Sequence, residues 1–124
     1  MPNLADVLNA NETLLSHVAR IIIPSTWNVD EPMTEEIHES YVNYTAGKMA
    51  VWFGGVTTYK GVGMWKSPVV GLVKEPVTIV ESNMGDLTQI AELAKLARQL
   101  CTALKQEAVA LVVDGEMAFL GGIE

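Results

Sequence analysis

The chain predicts an α+β two-layer sandwich with ferredoxin-like β-α-β-β-α-β connectivity, a short extra C-terminal strand and a long hairpin between its second and third strands. Three observations carry this expectation. From Thr57 to Ser82, β-branched and aromatic residues crowd two arms of about eleven residues around a Ser-Pro-Val-Val-Gly turn, twice the usual strand length. Leu87, Ile90, Leu93, Ala94, Ala97, Leu100, Cys101 and Leu104 recur at helical spacing. Asp114-Gly115 separates two apolar runs, and both residues tolerate the positive φ of a two-residue hairpin turn.

The elements follow in order. Residues 1–13 are expected to form an N-terminal segment, either a short helix or partly disordered, and residues 14–124 a single α+β domain. The first strand centres on Val18 to Ile23 and stops at Pro24-Ser25-Thr26. Asp30 or Thr34 caps the next helix, where Pro32, Glu35 and Glu36 suit a first turn at the positive end of the dipole. Ile37, Tyr41, Tyr44, Thr45 and Met49 form its apolar face, and Gly54-Gly55 closes it. Asp86 with Gln89 is a capping-box pattern ahead of the second main helix. Pro76 cannot donate to a ladder, so it marks where the hairpin leaves the sheet, and Gly61 and Gly63 allow a bulge on the facing arm.

Composition narrows the functional classes. A chain of 124 residues fits one domain that buries roughly two-thirds of its unfolded surface. A net charge of −7, without a basic run, argues against nucleic acid and against anionic membranes as partners. No apolar stretch approaches the length of a membrane span, and the N-terminus lacks the order of a signal peptide. A single cysteine, Cys101, agrees with a reducing cytoplasm.

The strands speak to partners. Ile21-Ile22-Ile23 and Ala108 to Val113 are apolar on both faces, whereas a sheet wetted on one side alternates. The second face therefore needs cover, from the N-terminal segment in part or from a second copy in full. A homo-oligomer, with a dimer favoured, is the expectation, and a protein partner is a further option.

Candidate chemistry is sparse. Gly61-Val62-Gly63 lacks a third glycine and a following helix, so it reads as hairpin structure rather than a dinucleotide loop. His17, His38 and Cys101 show no ligand spacing, and neither a metal nor a cofactor is expected. Pro2 would suit N-terminal-proline base chemistry only at the head of a buried strand, and a polar stretch separates it from the first strand. Glu75 and Glu81 share one face of a hairpin arm and read as solvated strand residues. Trp27, Tyr59 and Trp65, with Arg20 or Lys60 nearby, could line a groove for a ring-shaped ligand, although Trp and Tyr suit cores and interfaces equally.

Several fragments taken together are similar to a known group. They are Ile22-Ile23-Pro24-Ser25-Thr26, Phe53 to Thr57, Gly61 to Trp65, Glu75 to Ser82 and Gln106 to Ala110 with Val113 to Glu116. In order and spacing they resemble a group of small uncharacterised prokaryotic, phage and plasmid proteins with no assigned function. The resemblance runs from about Val18 to Leu120 and implies a shared fold; it carries over no functional residue.

The reading that follows is a small, acidic, cytoplasmic, non-catalytic module that self-associates and works by protein binding. Its contact residues would be Tyr59, Val62, Met64, Trp65, Leu72 and Val73. The alternative is a small-molecule-binding enzyme or sensor with a pocket at a subunit interface, built from His17, Arg20, Trp27, Tyr59 and Glu81.

Overall fold

A computed structural model describes residues 3–9, 12–28 and 31–122. One antiparallel sheet of five strands has the order β4-β5-β1-β6-β7. These strands are β1 (His17–Pro24), β4 (Thr57–Ser67), β5 (Gly71–Met84), β6 (Val109–Val113) and β7 (Glu116–Leu120). Helix α2 (Glu35–Phe53) links β1 to β4, and α3 (Ile90–Ala103) links β5 to β6. The ferredoxin-like order of four strands is present, with β7 added at the edge beside β6. A one-turn helix, α1 (Leu4–Val7), precedes the domain, and β2 (Thr26–Trp27) pairs with β3 (Glu31–Pro32) in a separate ribbon that the residue pattern did not announce.

Alternation in β1 explains the core. Ala19, Ile21 and Ile23 are fully buried on the helix-facing side, beside Val80 and Met84 of β5 and Val109 and Leu111 of β6. Leu93, Leu96, Ala97, Leu100 and Cys101 of α3 close over them, with Val42 and Met49 of α2. Each large apolar side chain buried this way contributes about 1.5–3 kcal/mol.

Both main helices depart from the expected detail. Thr34 caps α2, its Oγ1 accepting from Ile37 N at 3.2 Å, and Gly54 ends it at φ 89°. The buried face of α2, however, is His38, Val42, Thr45 and Met49, while Ile37 and Tyr44 are exposed. The stripe is turned because buried His38 finds two polar partners in the sheet. The capping box at α3 does not form. Asp86 Oδ1 instead accepts from Thr88 N and Oγ1 at 3.0 and 2.7 Å, and α3 begins at Ile90 without a side-chain cap.

The hairpin projects as its length implied. β1 pairs with β5 only from Val77 to Met84, so from Gly71 to Pro76 the arm has β4 as its sole ladder partner. Its register is unbroken from Thr57↔Glu81 to Ser67↔Gly71, so the glycines make no bulge. They clear space instead. A Cβ on Gly61 would lie 3.2 Å from Ile79 Cδ1, and one on Gly63 would lie 3.3 Å from Val77 Cγ1 and 3.4 Å from the Trp65 ring. No described helix is long and apolar enough to cross a membrane.

Candidate functional site

Pro24 and Pro76 create the site. The register that pairs Pro24 with Val77 would set Ser25 opposite Pro76, which has no N–H to offer. The ladder ends there, and the backbone groups of Ser25 turn to other partners. Ser25 O accepts from Met33 N at 3.0 Å, which draws the β2–β3 ribbon inward. Ser25 N donates to Glu75 Oε2 at 2.9 Å, and its hydroxyl lies 3.2 Å from that oxygen and 2.5 Å from Pro76 O. Glu75 is thereby held at 3% exposure rather than solvated.

Its second oxygen is the unusual feature. Glu75 Oε1 is buried and has no hydrogen-bond partner among the described residues. An unsatisfied buried polar atom costs about 1–3 kcal/mol, so a fold that retains one invites a functional reading. Glu75 lines a cleft of about 590 Å³ between the projecting arm, the Ser25–Thr26 turn and the first turns of α2. That volume lies within the range of small-molecule sites.

His38 braces the opposite wall. A carbonyl only accepts, so Nδ1 donates to Pro24 O at 3.0 Å, while Nε2 faces Thr78 Oγ1 at 2.7 Å. Both Thr78 and His38 are buried and both line the cleft. Leu72, Val73, Pro76 and Met33 supply apolar walls, and Lys60, Lys74 and Glu35 bring charge to the lining. Lys60 Nζ stands 3.5 Å from Glu35 Oε1, and both side chains are largely exposed, so this pair adds little stability. Thr34 caps the helix that carries His38, and Pro76 positions the strand that carries Glu75.

The other residues singled out from the sequence are placed as follows. Arg20, Tyr59 and Glu81 converge on the sheet face away from the helices: Arg20 Nε hydrogen-bonds Glu81 Oε1, which also accepts from Tyr59 OH at 3.1 Å. The Glu81 contact holds the Arg20 guanidinium above its ordinary value. Trp27 lies elsewhere, edge-on to Tyr41 at 5.9 Å. The ladder divides the six arm residues, with Tyr59, Trp65 and Val73 on one face and Val62, Met64 and Leu72 on the other. Val73 is buried at 5% exposure, whereas Val62, Met64 and Leu72 are strongly exposed. Cys101 is buried in the core, where desolvation pushes its thiol up.

His17 sits at the far end of β1, its Nδ1 2.7 Å from Asp114 Oδ2, while Asp114 Oδ1 accepts from Val18 N at 2.9 Å. The Val18 amide first, then His17, holds the Asp114 carboxyl below its ordinary value. A depressed folded-state value stabilises the fold above the unfolded carboxyl range of about 3.9, and this advantage fades as pH falls through the folded value. Asp114→Asn should therefore lower the melting temperature at pH 7 and converge with wild type in acid, once pH falls below the depressed folded-state value, as read by thermal melts across pH. A constant difference at every pH would contradict the assignment.

No family model matches the chain, and no curated protein matches it. Among solved structures, a phage SAM lyase in complex with S-methyl-5′-thioadenosine superposes with a TM-score of 0.68 at 15% identity, covering 92% of this chain and 97% of that one. A phage SAM lyase in its apo state gives a TM-score of 0.62 at 16% identity, covering 87% and 90%. At these identities the likeness shows a shared fold. It nevertheless corrects the non-catalytic interaction module expected from the sequence. The fold match spans nearly two whole chains and is to an enzyme with a small-molecule ligand, which favours the small-molecule alternative. The exposed apolar arm suggested protein binding because apolar exposure alone does not tell a partner from a ligand.

Proposed function

We propose that the protein is an enzyme acting on a SAM-type sulfonium nucleoside, with the nucleoside held in the hairpin cleft. The observation that carries this reading is Glu75, a residue of the cleft lining whose buried Oε1 has no hydrogen-bond partner among the described residues. The shared fold with a lyase bound to S-methyl-5′-thioadenosine supports the ligand class.

Charge logic suggests what Glu75 does. Converting SAM to S-methyl-5′-thioadenosine breaks the bond between sulfur and the amino-acid chain, leaves the electron pair on sulfur and removes the positive charge there, while the released carbon bonds to the substrate's own carboxylate oxygen and closes a lactone. An anion beside that sulfur would favour the starting cation over the transition state and oppose the reaction. A carboxyl oxygen serves better as acceptor for the ribose hydroxyls, which substrate and product share. Apolar walls such as Leu72 and Met33 favour loss of the sulfonium charge, because a neutral thioether tolerates a poorly hydrated cleft and a cation does not. Lys60, Lys74 and Glu35 offer both signs of charge to an amino-acid tail.

Thermal melts with S-methyl-5′-thioadenosine, and chromatography of SAM incubated with the protein, test the reading together. Ligand at 100 times its dissociation constant should add about 2.7 kcal/mol, a rise of several degrees, and methionine alone should add none. Absence of both a shift and SAM consumption would refute it.

A further inference from the structure

We propose that the sheet face opposite the helices is a contact surface between copies of this chain. Register places Val18, Arg20 and Ile22 of β1 on this face, with Ile79 of β5 and Ala110 and Val112 of β6. Tyr59, Met117 and Phe119 share the face and are 42%, 52% and 69% exposed. An apolar trough of about 400 Å³ runs across it between Trp65, Val77 and Phe119.

Charge, area and exposure favour a second copy as the occupant. The first is charge. Within the strands, the charged residues on this face are Arg20, Glu75 and Glu81; Glu75 is buried, and Arg20 and Glu81 hydrogen-bond each other. A chain of net charge −7 repels its copies through most of its surface but can meet them through a face whose charges are already paired. A strongly basic partner would find no acidic patch there to steer it.

The second is area. Five strands about 4.8 Å apart, with β1 running roughly 26 Å, give a face on the order of 600 Å² in plan. Side-chain relief raises that toward the ~800 Å² per partner of a standard interface. The third is exposure: Val73, Val77 and Val112 on this face are already buried within the chain, but Tyr59, Met117 and Phe119 around them stay open. Leu4 and Val7 of α1 are themselves more than 60% exposed, so that helix does not cover those side chains.

Light scattering of the ligand-free full chain at about 10 μM tests this independently of the nucleoside reading. The expected mass is two or more chains; a single-chain mass overturns the proposal. Phe119→Lys, on an edge strand and largely exposed, should raise the dissociation constant at least about thirtyfold with an unchanged circular dichroism spectrum. If that variant misfolds, Met117→Lys should do the same. Val51→Lys on α2, at 84% exposure, should leave the mass unchanged. Equal weakening by Val51→Lys, or none by the β7 variants, would also overturn it.

Discussion

Glu75→Gln should weaken binding of S-methyl-5′-thioadenosine at least about tenfold while leaving the melting temperature unchanged or higher. The two effects separate because the two carboxyl oxygens do different work. Oε2 accepts from Ser25 N at 2.9 Å, and the carbonyl of a glutamine can take over that bond without moving the turn. Oε1 has no partner among the described residues, and an amide nitrogen in its place can only donate. A ribose hydroxyl facing it must then turn and lose the bond it gave, a loss of about 1.5–3 kcal/mol for a charge-assisted contact. The folded protein gains at the same time, because a buried amide is less costly to desolvate than a buried carboxyl short of partners. Activity retained at the expense of stability is a familiar trade at functional sites. Titration calorimetry and thermal melts on one preparation read both quantities. A fall of several degrees with unchanged affinity would make Glu75 a structural anchor for the Ser25 turn and move the site elsewhere.

His38→Ala should destabilise the fold by about 2–4 kcal/mol, near the upper end for a single substitution. The imidazole joins three elements: it is carried by α2, donates to the end of β1 at Pro24 O and meets β5 at Thr78 Oγ1. Its removal leaves an acceptor and a hydroxyl buried without partners and opens a cavity behind the cleft wall. Melting temperature should drop by roughly 10 °C. Denaturant titration giving a loss below about 1 kcal/mol would show that the helix is held by Val42 and Met49 alone.

Elements with local signals were legible in the sequence. Asp114 and Gly115 take φ of 51° and 84°, as their residue types imply, and Gly54 ends α2 in the left-handed region. The hairpin, the sheet connectivity and the projecting arm follow from strand runs and from Pro76. The ribbon at Thr26–Trp27 and Glu31–Pro32 was not legible, since two-residue strands carry no periodicity. The cleft was legible only in fragments. Glu75 and His38 lie far apart in sequence and in unremarkable contexts, a glutamate in a strand and a histidine on a helix. Alternation would put the glutamate toward solvent, and it is buried only because Ser25 folds over it at the point where the ladder ends. A signal did exist in Pro24-Ser25 and Glu75-Pro76, two prolines at facing strand ends that leave backbone groups seeking partners.

By itself the sequence determined the five main strands, the two long helices and how they connect, and it showed two strand segments apolar on both faces. Those properties are local, set by propensity, turn chemistry and periodicity along the chain. Only the tertiary structure decided which face of α2 is buried and that Glu75 keeps an unanswered oxygen beside a cleft. Burial and hydrogen-bond satisfaction are sums over neighbours from distant parts of the chain, and no single segment records them.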